Sequence, residues 1–221
     1  MQTRSALLFG ASGLIGGHLL RLLVGDAAYD RVTVPVRKPL SLRHPKLREL
    51  VVDFEHLDKQ KDALRGQDVF CCLGTTIRAA KSQSAFRKVD FTYVAHAASL
   101  AAANGAEQFL LVSSLGADKN SGTFYLRVKG DIEEAISTLP FKAVQIFRPS
   151  VLIGEREQVR FGETLAIAVM KLVSVVLIGG LRRYRAIEAQ TVARAMLSAA
   201  KQENAGVVVY ESDRIQILGQ T

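Results

Sequence analysis

Short apolar runs recur along the chain and alternate with longer segments whose apolar positions repeat at helical spacing. Residues 5–9, 31–36, 47–52, 69–73, 108–112, 143–147 and 207–210 read as seven strands. Between them, residues 15–24, 90–104, 125–139, 163–178 and 188–202 have the length and apolar spacing of helices. Gly25, Gly105 and Pro140 stand just past three of the helix ends, where a left-handed residue or a missing N–H stops propagation. Strand and helix in repeated alternation predict an α/β fold, a doubly wound and mostly parallel sheet.

With 221 residues, 48% of them hydrophobic, the chain can bury one substantial core, so residues 1–221 are expected to form a single domain. The regularity breaks after the sixth strand, at residues 148–157, and a variable substrate lobe is expected within 148–187. The formal charge of +8 suits an anionic ligand, a nucleic acid or an anionic membrane, and equally a solvated surface over which Lys and Arg are scattered. Without a basic helix or an interleaved aromatic stripe, no nucleic-acid partner is expected. The longest apolar stretch, residues 165–180, carries Lys171 and falls short of the roughly 20 residues that cross a bilayer, so no membrane span is expected. Cys71 and Cys72 are adjacent in a strand and point to opposite faces, which argues against a metal site or a disulfide framework. The apolar run at residues 6–9 is too short for the core of a signal peptide, and the expected location is the cytoplasm.

Candidate chemistry begins directly after the first strand, at Gly10-Ala-Ser12-Gly13-Leu14-Ile15-Gly16, with a helix following. Strand, glycine turn and helix in this order form a dinucleotide site: Gly10 makes the turn, Gly13 lets backbone approach a pyrophosphate, and Gly16 permits close helix packing. Three glycines at this spacing also occur in turns that bind nothing. Where the second strand ends, an acidic residue would hold the ribose hydroxyls of NAD; this chain has Arg37 and Lys38, which match the 2′-phosphate of NADP(H). A surface arginine is the plainer reading. Asp53 and Phe54 end the third strand near the expected adenine, although an aspartate there also makes turns. Gly74, Thr75 and Thr76 follow the fourth strand where the chain passes the cofactor ribose, a place where glycine can equally serve the turn alone.

Tyr125 and Lys129 lie four residues apart in a predicted helix and so share a face. A nearby ammonium stabilises a phenolate, which makes tyrosine usable in proton transfer, and the same lysine can hold the nicotinamide ribose. The fifth strand ends in Ser113-Ser114, placing a hydroxyl at the carboxyl edge where α/β folds bind ligands. Serine to a carbonyl oxygen, tyrosine to its proton and nicotinamide C4 to its hydride make carbonyl–alcohol interconversion the expected reaction. Turn-making for the serines and packing for Tyr125 are the alternatives.

The glycine turn, Arg37, the Val-Ser-Ser run, Tyr125-x-x-x-Lys129 and the Arg148-Pro149 turn together resemble the atypical or extended short-chain dehydrogenase/reductase superfamily over nearly the whole chain. More narrowly, residues 72–76, 88–90, 112–118 and 125–130 are similar to its Tat-interacting-protein-like oxidoreductase branch. The resemblance implies a Rossmann fold with NADP(H), a Ser114-Tyr125-Lys129 site in which Ser114 rather than Ser113 is the catalytic hydroxyl, and Arg148-Pro149 passing the nicotinamide. It also implies a homodimer built through two adjacent helices. Asp90 departs from the pattern, standing where many extended members carry Asn. The short interval from Ser114 to Tyr125 favours a small carbonyl compound or alcohol as substrate over a sugar nucleotide. A redox-sensing or regulatory protein that binds NADP(H) without substantial turnover is the alternative function.

Overall fold

In the computed structural model, residues 3–153, 179–202 and 204–220 are described. Seven parallel strands form one sheet in the order β3-β2-β1-β4-β5-β6-β9. They are β1 (Arg4–Phe9), β2 (Tyr29–Val36), β3 (Leu47–Val51), β4 (Asp68–Cys71), β5 (Gln108–Val112), β6 (Ala143–Arg148) and β9 (Gly206–Glu211). A separate parallel pair joins β7 (Leu152–Ile153) to β8 (Ile187–Glu188) beside the end of β6. All seven strands read from the sequence are present, with ends shifted by at most two residues.

Helices cover both faces, which is why the central strands are apolar on both sides. Against one face pack α1 (Leu14–Gly25), α6 (Ala189–Ala200) and α7 (Ser212–Leu218), burying Leu19, Leu23, Val192, Met196 and Ile215. Against the other pack α4 (Tyr93–Ala103) and α5 (Phe124–Ser137), with Val94, Ala97, Ala101, Ile132 and Ile136 turned inward at helical spacing. Two short helices, α2 (Ile77–Ala80) and α3 (Gln83–Arg87), and a 3-10 stretch at Phe54–Ala63 were not legible in the apolar pattern. The expected helix at 90–104 is divided: Lys88–Thr92 forms a π turn and α4 begins only at Tyr93. The expected helix at 163–178 lies outside the described residues.

The strand order reverses direction at β1, which has β2 on one side and β4 on the other. Phe9 pairs with Cys71, and the Cys72 N–H donates to the Phe9 carbonyl at 2.9 Å, so the chain segments leaving β1 and β4 start side by side. This switch point opens a crevice at the carboxyl ends of the strands. At the opposite ends, Asp68 is fully buried and accepts from Arg4 Nε and Nη2 at 2.8 and 2.6 Å, from the Tyr29 hydroxyl at 2.7 Å and from Gln108 Nε2 at 2.8 Å. Gln145 on β6 extends this row by donating to Gln108 and accepting from Tyr210 on β9.

Candidate active site

Two glycines shape the first wall of the crevice. Gly10 has φ +82°, and a Cβ there would lie 2.5 Å from the Cys72 carbonyl carbon; one on Gly16 would lie 2.1 Å from the Gly10 carbonyl oxygen. Neither position tolerates a side chain while β1, β4 and α1 keep this contact. The Gly13 N–H donates to Gly10 at 2.9 Å and closes the turn. Helix α1 starts at Leu14 with Gly13 as its cap, and no side chain caps its first N–H groups. Those groups and the positive end of the helix suit an anion. Ser12 and Gly13 are exposed, Leu14 is half-buried, and Ile15 and Gly16 are buried and fix the helix to the core.

Around this turn stand the other residues read as cofactor contacts. Arg37 and Lys38, just past β2, are exposed and have no ion pair or hydrogen bond among the described residues, so both charges are available to a ligand. Asp53 accepts from the Glu55 N–H at 2.9 Å and caps the 3-10 stretch, while the Phe54 ring is buried against Tyr93, 5.8 Å between centroids. At that strand end, the Asp53 side chain is engaged in the turn and the Phe54 side chain in the core.

Past β4, the Thr75 N–H donates to Asp90 Oδ2 at 2.8 Å, and the Thr76 hydroxyl accepts from the Ala79 N–H at 3.1 Å, capping α2. Gly74 lies directly over Asp90 and Lys129: a Cβ on it would stand 3.3 Å from Asp90 Oδ1 and 3.8 Å from Lys129 Nζ. Lys129 is buried on α5 one turn after Tyr125, and its ammonium is 2.8 Å from Asp90 Oδ1. Burial acts to lower the Lys129 pKa, but the carboxylate of Asp90 and the nearby Tyr125 outweigh it and hold the lysine above its ordinary value. The Tyr125 ring is half-buried and leans on Phe86 at 5.5 Å between centroids. Burial pushes the Cys71 thiol up to about 12, so no thiolate competes for the ammonium at neutral pH.

The two serines have different surroundings. Ser113 is buried and its hydroxyl donates to Glu133, which Arg148 grips from the other side, Nε at 3.0 Å from Oε1 and Nη2 at 2.5 Å from Oε2. Among the described residues the Ser114 hydroxyl makes only a long contact, 3.4 Å to the Leu115 carbonyl, and it is the less committed of the pair. Pro149 is buried and its carbonyl accepts from the Leu115 N–H at 2.9 Å, tying the end of β6 to the serine segment. The Arg148 side chain therefore braces β6 against α5. Glu133 was missed in the sequence, although its spacing signals it: Tyr125, Lys129 and Glu133 recur every four residues along one face of α5.

Elsewhere, a cavity of about 420 Å³ lies along α7, bordered by Arg182, Arg185, Ser212, Asp213 and Gln216, and it is separate from the glycine turn. Among the described residues no group of His, Cys, Asp and Glu could hold a metal ion, and no helix is long and apolar enough to cross a membrane.

A crevice at the switch point of a parallel sheet, a glycine turn that excludes side chains and an uncapped helix start define a dinucleotide-binding Rossmann protein. A family profile described as NAD(P)H-binding matches residues 10–145, and the chain belongs to that family. Protein HTATIP2 of Rattus norvegicus is 43% identical over 170 residues, covering 75% of this chain and 70% of the relative. Protein FMP52-1, mitochondrial, of Scheffersomyces stipitis is 35% identical over 158 residues and 69% of each chain; protein fmp52, mitochondrial, of Aspergillus niger is 29% identical over 218 residues, 96% of this chain and 93% of its own. Among solved structures, the UDP-N-acetylglucosamine 4-epimerase of Methanobrevibacter ruminantium M1 superposes with a TM-score of 0.70 at 15% identity, over 96% of this chain and 77% of that one. MoeE5 in complex with UDP-glucose and NAD gives 0.68 at 16%, over 94% and 76%. At such identities these two speak for the fold alone, that of the extended short-chain dehydrogenase/reductases.

The names of the fungal relatives overturn the cytoplasmic location expected from the sequence, because several of them are called mitochondrial. The expectation rested on the lack of an apolar leader. Mitochondrial targeting segments are amphipathic and basic instead, so that criterion does not bear on them.

Proposed function

We propose that the protein is an NADP(H)-dependent oxidoreductase that interconverts a small carbonyl compound and its alcohol at Ser114, Tyr125 and Lys129. The observation that carries this reading is the buried ammonium of Lys129, one turn from Tyr125 on α5 and directly beneath Gly74 at the switch-point crevice.

The cradle fits a dinucleotide. Gly10, Ser12, Gly13, Leu14, Ile15 and Gly16 would hold its pyrophosphate, Arg37 and Lys38 a 2′-phosphate, and the backbone at Asp53 and Phe54 the adenine. Gly74, Thr75 and Thr76 would hold the nicotinamide ribose, with Arg148 and Pro149 on the far side. When bound, the nicotinamide supplies the hydride exchange. Ser114 donates to the substrate oxygen, the Tyr125 phenol gives or takes the proton at that oxygen, and Lys129 holds the phenolate and the ribose by charge and hydrogen bonds. The reading takes 1–221 as a single domain with its substrate lobe within 148–187, of which 154–178 lie outside the described residues. The reading includes a homodimer built through two adjacent helices, which a solution mass measurement checks, and the fungal relatives' names support a mitochondrial location.

The test is a titration of the purified protein with NADPH and NADH. NADPH is expected to bind at least roughly tenfold tighter, a preference lost in Arg37→Ala. Failure of both at micromolar concentration ends the reading. Tyr125→Phe is expected to lower turnover by about 10²- to 10⁴-fold with unchanged NADPH affinity; a variant that keeps its full biological effect without turnover would instead favour a regulatory protein.

A further inference from the structure

We infer that Asp90 is a positioning residue, which holds the ammonium of Lys129 charged and in place beneath Gly74. This rests on the reading above, in which Lys129 holds the cofactor ribose and the Tyr125 phenolate.

Asp90 is 1% exposed and sits on the π turn Lys88–Thr92. π turns interrupt a helix at a cost and cluster at functional sites. The two carboxylate oxygens have separate tasks. Oδ2 accepts from the Thr75 N–H and ties down the segment that leaves β4. Oδ1 takes the Lys129 ammonium, with Nζ at 2.8 Å. The roof over both groups is Gly74, the one residue type that leaves them uncovered by a side chain.

Stability does not account for this pair. A buried ion pair is often matched or bettered by apolar residues of the same volume. Charge does account for it. Without a counter-charge, burial would drive an enclosed ammonium to release its proton toward neutral pH. Among the described residues, the other titratable groups around Lys129 are neutral or engaged elsewhere. From β4 comes the Cys71 thiol, protonated at neutral pH; from α5 itself, Tyr125 and Glu133, the latter taken by Arg148 and Ser113. On the segment that carries Asp90, Arg87 pairs with Asp131 and Lys88 with Glu55. Asp90 is the carboxylate left to Lys129. An ammonium has three donors, so with one turned to Asp90 two remain for ribose and phenolate oxygens.

The sign of the pH effect follows. A lysine raised above its ordinary value by a partner keeps its charge below that value and loses it only as the pH rises through the raised one. Asp90→Asn retains an acceptor for the Thr75 N–H and the same volume while removing the charge, so loss of the Lys129 proton moves down in pH. Calorimetric titration with NADPH and with 2′,5′-ADP, which lacks the nicotinamide ribose, from about pH 6 to about pH 9 reads this. In Asp90→Asn, NADPH affinity is expected to fall roughly tenfold across that range relative to the wild type, with 2′,5′-ADP unaffected. Asp90→Glu, which keeps the charge but displaces it by a methylene, is expected to weaken NADPH at every pH without the slope; it carries the test if Asp90→Asn does not fold. A wild-type NADPH profile in either folded variant, or an equal loss of 2′,5′-ADP, overturns the inference. A wild-type protein that binds neither ligand overturns the parent reading instead.

Discussion

The two ends of the sheet both hold charge away from water, and they complete it differently. At the amino ends of the strands, Asp68 receives four hydrogen bonds from three residues, and Gln108, Gln145 and Tyr210 continue the row across to β9. At the carboxyl ends, Asp90 has two partners among the described residues, the Thr75 N–H on one oxygen and the Lys129 ammonium, 2.8 Å away, on the other. A closed network fixes strand register because every member is satisfied only in one pairing. A pair in which the ammonium turns one of its three donors to the carboxylate keeps the others in reserve. The contrast separates groups that build the sheet from groups poised to meet a ligand.

If that division is right, substitutions at the two ends should fail in different assays. The largest loss of stability is expected for Asp68→Ala, which leaves Tyr29 without an acceptor, Gln108 with only the Ala200 carbonyl and Arg4 half-paired. Denaturant unfolding should show on the order of 3 kcal/mol, while calorimetry on the folded protein shows unchanged NADPH affinity; a loss of affinity would break the comparison. Gly16→Ala sits at the other end and should do both, because its Cβ meets the Gly10 carbonyl. Overpacking there is worth about 1–3 kcal/mol, and displacement of the turn should weaken the dinucleotide at least roughly tenfold. The smallest effect is expected for Lys119→Ala, which removes an exposed pair with Glu134 on the outer face of α5. Its melting curve and its NADPH titration should both overlay the wild type, which would sharpen the point that enclosure and wiring, rather than ion pairing as such, distinguish the two ends.

The fold was legible because its signals are local. Each strand announces itself in a few consecutive apolar residues, and Gly10, Gly13 and Gly16 write their turn within one short segment. Tyr125 and Lys129 were legible for the same reason. Ser114 stood out from Ser113 only through family resemblance, whereas in the fold the difference has a physical cause: Ser113 is engaged by Glu133 and Ser114 is not. What stayed hidden depends on distant partners. Asp68 draws on Arg4, Tyr29 and Gln108, and nothing in the spacing of these four foretells a common meeting point. Asp90 was visible as a departure from a pattern, but its ion pair with Lys129 spans two helical segments. The π turn escaped because residues 90–104 carry an unbroken apolar rhythm and a widened turn leaves no mark in it.

That turn makes chain length, more than side-chain identity, the protected quantity in this stretch. Losing one residue there would close the i→i+5 turn to i→i+4 and restore regular helical winding, with the helical segments on either side still in phase. Val94, Ala97 and Ala101 would keep their place in the core, and the loss would fall on the widened turn itself, where Asp90 meets Lys129. Insertions and deletions among descendants of this gene should therefore avoid residues 88–92, even where point substitutions at the outward-facing positions accumulate freely.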